Sequence, residues 1–471
     1  MPRFNAPVTP LVLAVALFME QMDSTVIATS LPAIAADLGT SPIALKLAVT
    51  SYLVALAIFI PISGWMADRF GAKNVFRVAI VVFVIGSVAC GFARSIEGFV
   101  LARFLQGMGG SMMSPVGRLI LVRTTRRDQL VNSMAWLTIP ALVGPLLGPP
   151  LGGFITTYLS WHWIFWINVP ISLVGLALVT RYLTEGEPRP PRPVDLPGFF
   201  LCALALSGLV FGLSVISLPA LPVAVGYATL ATGAAAGTAY LWHARRATFP
   251  LLDPAMFRYP LFRSGILGGS LFRIGVGAMP FLLPLMLQLG FGLDPFQSGL
   301  ITFVAAAGAI LAKFIVGRAF RMFGFRDILG FGILASAGFI ALNAAFTPAT
   351  PVMLIMAALF VGGVLRSLCF TGVNAVVFAD VEDADSSQAT AINAVAQQVS
   401  LAVGVALAGA ILDISERLAG HDGLGLGDFH IAFLGVAIPG LFGALVFLRL
   451  PRDAGAAVSG HRGRARPAPG E

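Results

Sequence analysis

Charged residues are scarce in this chain of 471 residues: Asp, Glu, Lys and Arg together make up 11% of it, against roughly 25% in an average soluble protein. So few charges exclude both a soluble domain of this size and a disordered chain. Cysteine is rarer still. Cys90, Cys202 and Cys369 each lie in an apolar run without paired spacing, so we expect packing residues, not disulfides or a zinc site.

The usual signatures of catalysis are also missing. The sequence has no G-x-x-x-x-G-K-[S/T] nucleotide-binding loop, no evident nucleophile–base pattern and no cluster of metal ligands. We therefore predict that the protein is not an enzyme and that it needs neither a cofactor nor a metal. Basic residues recur in short loops and form no single patch, so the formal charge of +8 does not indicate a nucleic-acid partner.

What the chain has in excess is apolar residues, at 57% and with a mean hydropathy of +0.89. Because a helix needs about 20 apolar residues to cross a bilayer, the pattern predicts an all-α integral membrane protein with fourteen spans. The predicted spans are 9–34, 43–66, 74–93, 97–118, 129–155, 161–182, 197–216, 221–242, 261–289, 296–316, 327–347, 350–378, 388–412 and 430–450. The first apolar run is too long for a cleavable signal peptide.

The distribution of Lys and Arg predicts the orientation. Most of these 30 residues fall at the N-terminus, in alternate loops and in the C-terminal tail, which the positive-inside rule assigns to the cytoplasm. Lys46, Arg94 and Arg417 fall on the other side, where the loop 413–428 is acidic and Gly-rich. We therefore expect a multi-pass protein of a bacterial inner membrane, with both termini in the cytoplasm; its expected partners are the lipid bilayer, a small-molecule substrate and protons.

Two loop segments repeat. In Gly317–Arg326 two glycines and the final base match Gly64–Lys73 at one constant offset, although Arg321 replaces the acidic residue of the first copy. Six spans on either side indicate two parallel six-span halves that rock around a central site. The predicted division is an N-terminal six-helix bundle (1–184), a linker with two inserted helices (185–260), a C-terminal six-helix bundle (261–450) and a basic cytoplasmic tail (451–471).

Five motifs identify a family. The first loop fits G-x-x-x-D-R-x-G-x-K, span 4 contains R-x-x-Q-G at Arg103–Gly107, and span 5 contains a Gly/Pro motif. Met22–Thr25 in span 1 and Trp161–Pro170 at span 6, with His162 where Arg is more usual, complete the set. The chain resembles the major facilitator superfamily, and within it the fourteen-span drug:proton antiporters. The resemblance implies a major facilitator fold, a gating loop (Gly64, Asp68, Arg69, Gly71 and Lys73) and an antiporter motif that seals against proton leak (Gly144, Pro145, Gly148, Pro149, Gly152 and Gly153).

Ionisable groups inside a membrane are functional candidates because each costs several kcal/mol to bury. Asp23 in span 1 and Arg103 in span 4 lie at about the same predicted depth, so the two could meet. Burial favours the protonated carboxyl and a nearby guanidinium the ionised one, so movement of the halves could load or release a proton. We predict proton coupling by Asp23, Arg103 and Glu20; the alternative is a permanent pair that only joins two helices.

A central substrate cavity is also predicted. The repeat offset makes Arg273 the counterpart of Glu20, so we expect the two to face each other across the cavity. Lys313, near the inner end of span 10, is expected to reach the interface. The predicted cavity residues are Glu20, Asp23, Arg273, Arg366, Gln106, Asn374 and Gln397. A polar residue among these can equally form an interhelical hydrogen bond.

Together these features predict a proton-coupled antiporter that exports small organic compounds by alternating access and functions as a monomer. Two alternatives stay open. Counting Glu20, Asp23, Arg103, Arg273, Lys313 and Arg366 as ionised leaves a positive surplus, which favours a dedicated exporter of an organic anion such as a carboxylate or its metal chelate. The other alternative is a non-transporting receptor or channel, against which the paired halves and the buried carboxylate argue.

Overall fold

The computed structural model describes residues 8–125, 130–184, 193–216, 222–382, 385–420 and 423–456, and these contain helices but no strand. In a bilayer only helices and closed barrels satisfy every backbone group internally. The α-helices run Val8–Val26, Leu31–Asp37, Lys46–Phe59, Ser63–Phe70, Ala72–Gly91, Ile96–Thr124, Leu130–Tyr158, Trp163–Trp166, Asn168–Tyr182, Leu196–Ile216, Val223–Ala244, Pro260–Leu285, Pro295–Leu342, Val352–Val376, Ser386–Ala419 and Leu426–Leu448.

These helices form the fourteen predicted spans, because spans 1, 2 and 6 are each built from two helical pieces. Spans 10 and 11 share Pro295–Leu342, whose path breaks at Gly324 (φ 72°, ψ 176°). Within the described residues, ten helical stretches are long and apolar enough to cross a membrane by length and composition alone, and one of them contains both spans 10 and 11. The sequence placed Asp413 in a loop, which is wrong: span 13 continues as a helix to Ala419.

The repeat is visible in the backbone of the two motif loops. Gly71 (φ 83°) and Gly324 (φ 72°) both occupy the positive-φ region, which side chains with a Cβ rarely adopt. The bases two residues later act alike. Lys73 Nζ donates to the carbonyl of Thr180 at the end of span 6 (3.2 Å), and Arg326 Nε donates to that of Leu448 at the end of span 14 (3.1 Å). Each half therefore uses its motif base to hold the last turn of its sixth helix.

We call the end of the molecule with these two loops the inner end and the opposite end the outer end. At the outer end one apolar core runs through both halves, from Ile27 and Leu31 in span 1 to Leu282 and Phe433. Towards the inner end each half has a core of its own, one around Phe76 and Phe83 and one around Leu329 and Phe447. The two halves are thus joined at the outer end.

Spans 5 and 10 form one of these outer contacts through glycine. A Cβ on Gly299 would meet the backbone of Pro149, and a Cβ on Gly153 would meet the backbone of Pro295 and Phe296. The amide of Phe296 also donates to the hydroxyl of Thr157 (3.2 Å). Such close backbone approach is typical of small residues at membrane helix interfaces.

The two inserted helices, Leu196–Ile216 and Val223–Ala244, pack on each other through glycines. A Cβ on Gly208 would lie 2.6 Å from the Cα of Gly233. The first inserted helix contacts span 2 of one half and span 13 of the other, with Val210 in an apolar cluster that includes Val54 and Ala402. The divisions at residues 184/185, 260/261 and 450/451 stay predictions.

Candidate functional site

Asp23 and Arg103 meet in the interior of the N-terminal half. Arg103 Nη1 lies 2.8 Å from Asp23 Oδ2, and each residue is 1% exposed. Span 1 supplies the carboxylate and span 4 the guanidinium, at the common depth that the sequence predicted. A fully buried ion pair is stable only when its remaining polar atoms also find partners.

Amide side chains supply those partners. Gln106 Nε2 donates to Asp23 Oδ1 (2.8 Å), and Asn168 Nδ2 in span 6 donates to the same oxygen (2.7 Å). Gln106 Oε1 accepts a second bond from Arg103 Nη1 (2.6 Å). The guanidinium carbon lies 4.5 Å from the ring centroid of Tyr52, a distance at which a cation is attracted to the ring. The carboxylate thus accepts three hydrogen bonds, two from span 4 and one from span 6.

This cluster differs from the expected cavity lining in one respect. Gln106 and Asn168 are fully buried along with the ion pair, so in this conformation Asp23 and Gln106 lie inside the N-terminal half and do not face the space between the halves. The reason is local packing: spans 1, 4 and 6 all turn a polar residue towards the same point. Asn168 belongs to the span 6 motif Trp161–Pro170, and it is not among the predicted cavity or coupling residues.

Glu20 lies one helical turn from Asp23 on the same face of span 1. It is 7% exposed, and its Oε2 accepts a hydrogen bond from Ser114 Oγ in span 4 (2.9 Å). Arg118, one turn further along span 4, adds an attractive charge. The N-terminal half therefore contains two carboxylates stacked along span 1, each paired with a polar group of span 4.

Arg273 does not face Glu20, so that prediction is wrong. Its side chain is fully buried in the C-terminal half, where Nη2 donates to Asn374 Oδ1 (2.8 Å) and to Asn393 Oδ1 (3.2 Å). Spans 12 and 13 thus supply its acceptors, and among the described residues no carboxylate forms an ion pair with it. The offset of the sequence repeat predicts how deep Arg273 lies in the membrane, but the direction of its side chain depends on the helices packed around span 9.

A cavity of about 440 Å³ lies between the halves. Spans 1 and 5 contribute Thr25, Ala28, Pro145 and Pro149, while spans 9, 10 and 12 contribute the remaining wall. Arg366 lines it as predicted, and Lys313 lines it as well. Arg273, Asn374, Gln397, Glu20 and Asp23 do not belong to the wall of this cavity.

The gating loop ends in an ion pair. Arg123 Nη2 lies 2.5 Å from Asp68 Oδ1, with both side chains partly exposed. Asp68 of the gating loop is thus paired with a base, but Arg123 belongs to span 4 of the same half, so this pair does not join the two halves. Gly64, the first glycine of this loop, is not closely packed, since among the described residues a Cβ at this position would meet nothing within 4 Å.

The antiporter motif packs span 5 against two helices. A Cβ on Gly144 would meet Phe18 and Met22 of span 1, and one on Gly148 would meet Thr25. Gly152 continues this face, whereas Gly153 points to span 10 of the other half. The motif therefore fixes one helix of the N-terminal half simultaneously to the helix of Asp23 and to the outer contact.

Sequence reasoning missed Lys46, which it placed in an outer loop. The residue is fully buried, and its side chain lies against Gly409 of span 13, where a Cβ would come within 3.2 Å of Nζ. The carboxylate of Asp413, one turn further, attracts it. Lys46 lies at the start of apolar span 2 and Asp413 at the end of apolar span 13. This placement of a base and an acid at the ends of two spans could have indicated the contact between the halves.

Comparison with known proteins agrees with this architecture. The model of the Major Facilitator Superfamily matches residues 13–258 and 265–469. The MdtD protein of Cronobacter sakazakii, named for multidrug resistance, is 36% identical over 444 residues, which cover 94% of each chain. That of Pectobacterium atrosepticum is 35% identical over 94% of this chain and 95% of its own.

Solved structures share the fold at low sequence identity. A D-xylose–proton symporter superposes with a TM-score of 0.68 at 17% identity, covering 95% of this chain and 98% of its own. A POT family transporter in complex with a peptide conjugate gives 0.69 at 15% identity, covering 95% and 96%. The two helical halves, the family match and the MdtD relatives identify a transporter and not an enzyme: the chain belongs to the major facilitator superfamily.

Proposed function

We propose that this protein is a proton-coupled antiporter that exports small organic compounds by alternating access. Its relatives named for multidrug resistance support export. The observation that carries the coupling is the buried carboxylate of Asp23, which receives hydrogen bonds from spans 4 and 6.

The geometry suggests how a proton can be exchanged. In this conformation Arg103, Gln106 and Asn168 together stabilise the ionised carboxylate, and water is excluded. When the halves rock and spans 4 or 6 shift relative to span 1, the carboxylate loses donors. Since an unpaired charge in the interior costs about 3–5 kcal/mol, protonation of Asp23 becomes favourable in that state. Return to this conformation restores the donors and releases the proton.

Glu20 extends this path. It lies one turn nearer the inner end, with Ser114 as its donor, so it is the next carboxylate a released proton would meet. We therefore assign Asp23 and Arg103 the exchange step and Glu20 the relay towards the inner end.

The Lys and Arg distribution supports an orientation in which the inner end faces the cytoplasm of a bacterium. With the outer core shared between the halves, this conformation is the one that faces inward. All groups of the coupling site come from a single chain, so we propose that the monomer is the functional unit.

The test separates coupling from binding. Purified protein is reconstituted in vesicles with a pH-sensitive dye inside, and transport of labelled phenylbutyrate, phenylbutyramide and phenylbutylamine is measured with and without a pH gradient. We expect Asp23→Asn to abolish gradient-driven transport but to retain exchange of labelled for unlabelled compound. Asp453→Asn, which alters an exposed acid, is the matched control. Gradient-driven transport that survives in Asp23→Asn would contradict the proposal.

A further inference from the structure

The cavity between the halves has mainly apolar walls. Pro145 and Pro149 line it on one side, and Met279, Leu283 and Ile310 line it on the other. Its volume of about 440 Å³ lies within the range of about 300–1,000 Å³ that holds drug-sized ligands. An apolar molecular body fits these walls.

The charged residues of the wall are both basic. Lys313 and Arg366 line the cavity, and none of the lining residues within the described ranges is acidic. Lys313 Nζ donates to Thr371 Oγ1 (2.7 Å). Arg366 is only half-buried, and no hydrogen bond or ion pair is found for it in the described part of the chain.

A third basic residue, Arg273, lies next to the cavity without lining it and adds to the excess of positive charge there. The guanidinium carbon of Arg273 lies 5.3 Å from the ring centroid of Phe370, which lines the cavity. Nε and Nη1 of Arg273 are buried without an acceptor among the described residues. The N-terminal half gives its buried Arg103 a carboxylate, whereas the C-terminal half gives Arg273 only amide oxygens.

The two lining cations lie at different depths. Span 12 begins at its outer end with Val352, so Arg366 lies about 21 Å along it. Span 10 begins at its outer end with Pro295, so Lys313 lies about 27 Å along it, nearer the inner end, where it is exposed. An anion that enters from the inner end therefore meets Lys313 first and Arg366 deeper inside.

We propose that the cavity binds amphipathic organic anions, with the acidic group on Arg366 and the apolar body against Pro149, Met279 and Leu283. The inference rests on the proposed transport function and names its substrate class. A guanidinium suits this role because its donors pair with both oxygens of a carboxylate. The unpaired cations disfavour a lipophilic cation of the same size, since like charges repel in a site of low dielectric constant.

Binding to purified protein in nanodiscs tests the proposal without any pH gradient. Phenylbutyrate, phenylbutyramide and phenylbutylamine share one apolar body and differ in head-group charge. We expect the anion to bind about tenfold or more tightly than the amide, as for a charged hydrogen bond, and the amine to bind most weakly. Equal affinity for the three compounds, or tightest binding of the amine, would overturn the proposal.

Variants then assign the charge preference to its residue. Arg366→Gln is expected to bring the anion and the amide within about threefold of each other, while Arg366→Lys keeps part of the difference. Arg318→Gln, which removes an exposed Arg of span 10, is the matched control and should keep the full preference. A preference that is unchanged in Arg366→Gln would refute the assignment.

Two further comparisons keep the outcome decisive. If Arg366→Gln does not fold, Arg366→Lys serves in its place, provided that its melting temperature is unchanged. We then expect Arg366→Lys to lose part of the preference for the anion, and an intact preference would refute the role of the guanidinium. Asp23→Asn should keep the anion preference, because this binding involves no proton exchange. Failure of coupling and failure of the anion site are thus distinguishable.

Discussion

Gly153→Ala should open the outer contact between the halves. The new Cβ would fall 2.8 Å from the Cα of Phe296 and closer still to the carbonyl oxygen of Pro295. Ordinary contacts of a Cβ begin at 3.4 Å and the carbonyl oxygen would lie at 2.3 Å, so span 10 must retreat by about 1.1 Å from a close-packed interface. Both neighbouring groups are backbone atoms and cannot rotate away.

The energy of this contact sets the size of the effect. Overpacking of a tight interface costs about 1–3 kcal/mol, and here it falls only on the conformation in which spans 5 and 10 touch at the outer end. The population with an open outer end should therefore rise about 5- to 150-fold relative to the closed one.

Distance measurement between spin labels provides the assay. Labels on Ser41 and Ala349, exposed positions at the outer end of the two halves, report their separation. The native thiols do not compete, because all three cysteines are free and buried. The expected result is a new population at longer distance in Gly153→Ala.

Two matched variants make the result interpretable. Gly427→Ala lies at the outer end of span 14, where among the described residues a Cβ meets nothing within 4 Å, and should leave the distance unchanged. Gly148→Ala meets Thr25 within the same half, so it should lower the melting temperature without opening the outer end. An unchanged distance distribution in Gly153→Ala, at unchanged stability, would refute the role of this contact.

Three further outcomes follow from the contacts described above. Arg103→Ala should destabilise the protein by about 3–5 kcal/mol in chemical unfolding, because Asp23 loses its ionic partner in the protein interior, and adding Asp23→Asn should recover much of the loss; independent, additive losses would speak against the pair. Asp68→Asn should cost no more than about 1 kcal/mol of unfolding free energy, since its ion pair with Arg123 is partly exposed; a larger loss would point to another role. Gly71→Ala and Gly324→Ala should each lower stability by about 1–3 kcal/mol through their positive φ, whereas Gly338→Ala, in a helix interior with open space among the described residues, should not; an effect in Gly338→Ala alone would contradict this explanation.

The sequence predicts the parts of this fold that depend on local chemistry. Long apolar runs determine the helical spans because the bilayer leaves the backbone no other partner. The positive-φ turns at Gly71 and Gly324 follow from glycine at matching positions. The meeting of Asp23 with Arg103 follows from depth, since in lipid an acid and a base at one level have few other partners.

Side-chain direction is less accessible from sequence. Arg273 has the depth of a cavity residue, yet its acceptors, Asn374 and Asn393, lie on spans 12 and 13. Which neighbour a helix face meets depends on packing between distant spans, and an internal offset does not contain that information. The burial of Lys46 could not be predicted for the same reason, because its side chain is covered by the helix around Gly409 in the other half.

The inserted hairpin contacts both halves and would therefore take part in the proposed rocking motion. Its first helix touches span 2 and span 13, which belong to different halves, through aliphatic contacts around Val210. Any rotation that separates those spans must slide one of them along this helix or carry the hairpin with it. The hairpin thereby covers the junction that spans 2 and 13 form between the two halves.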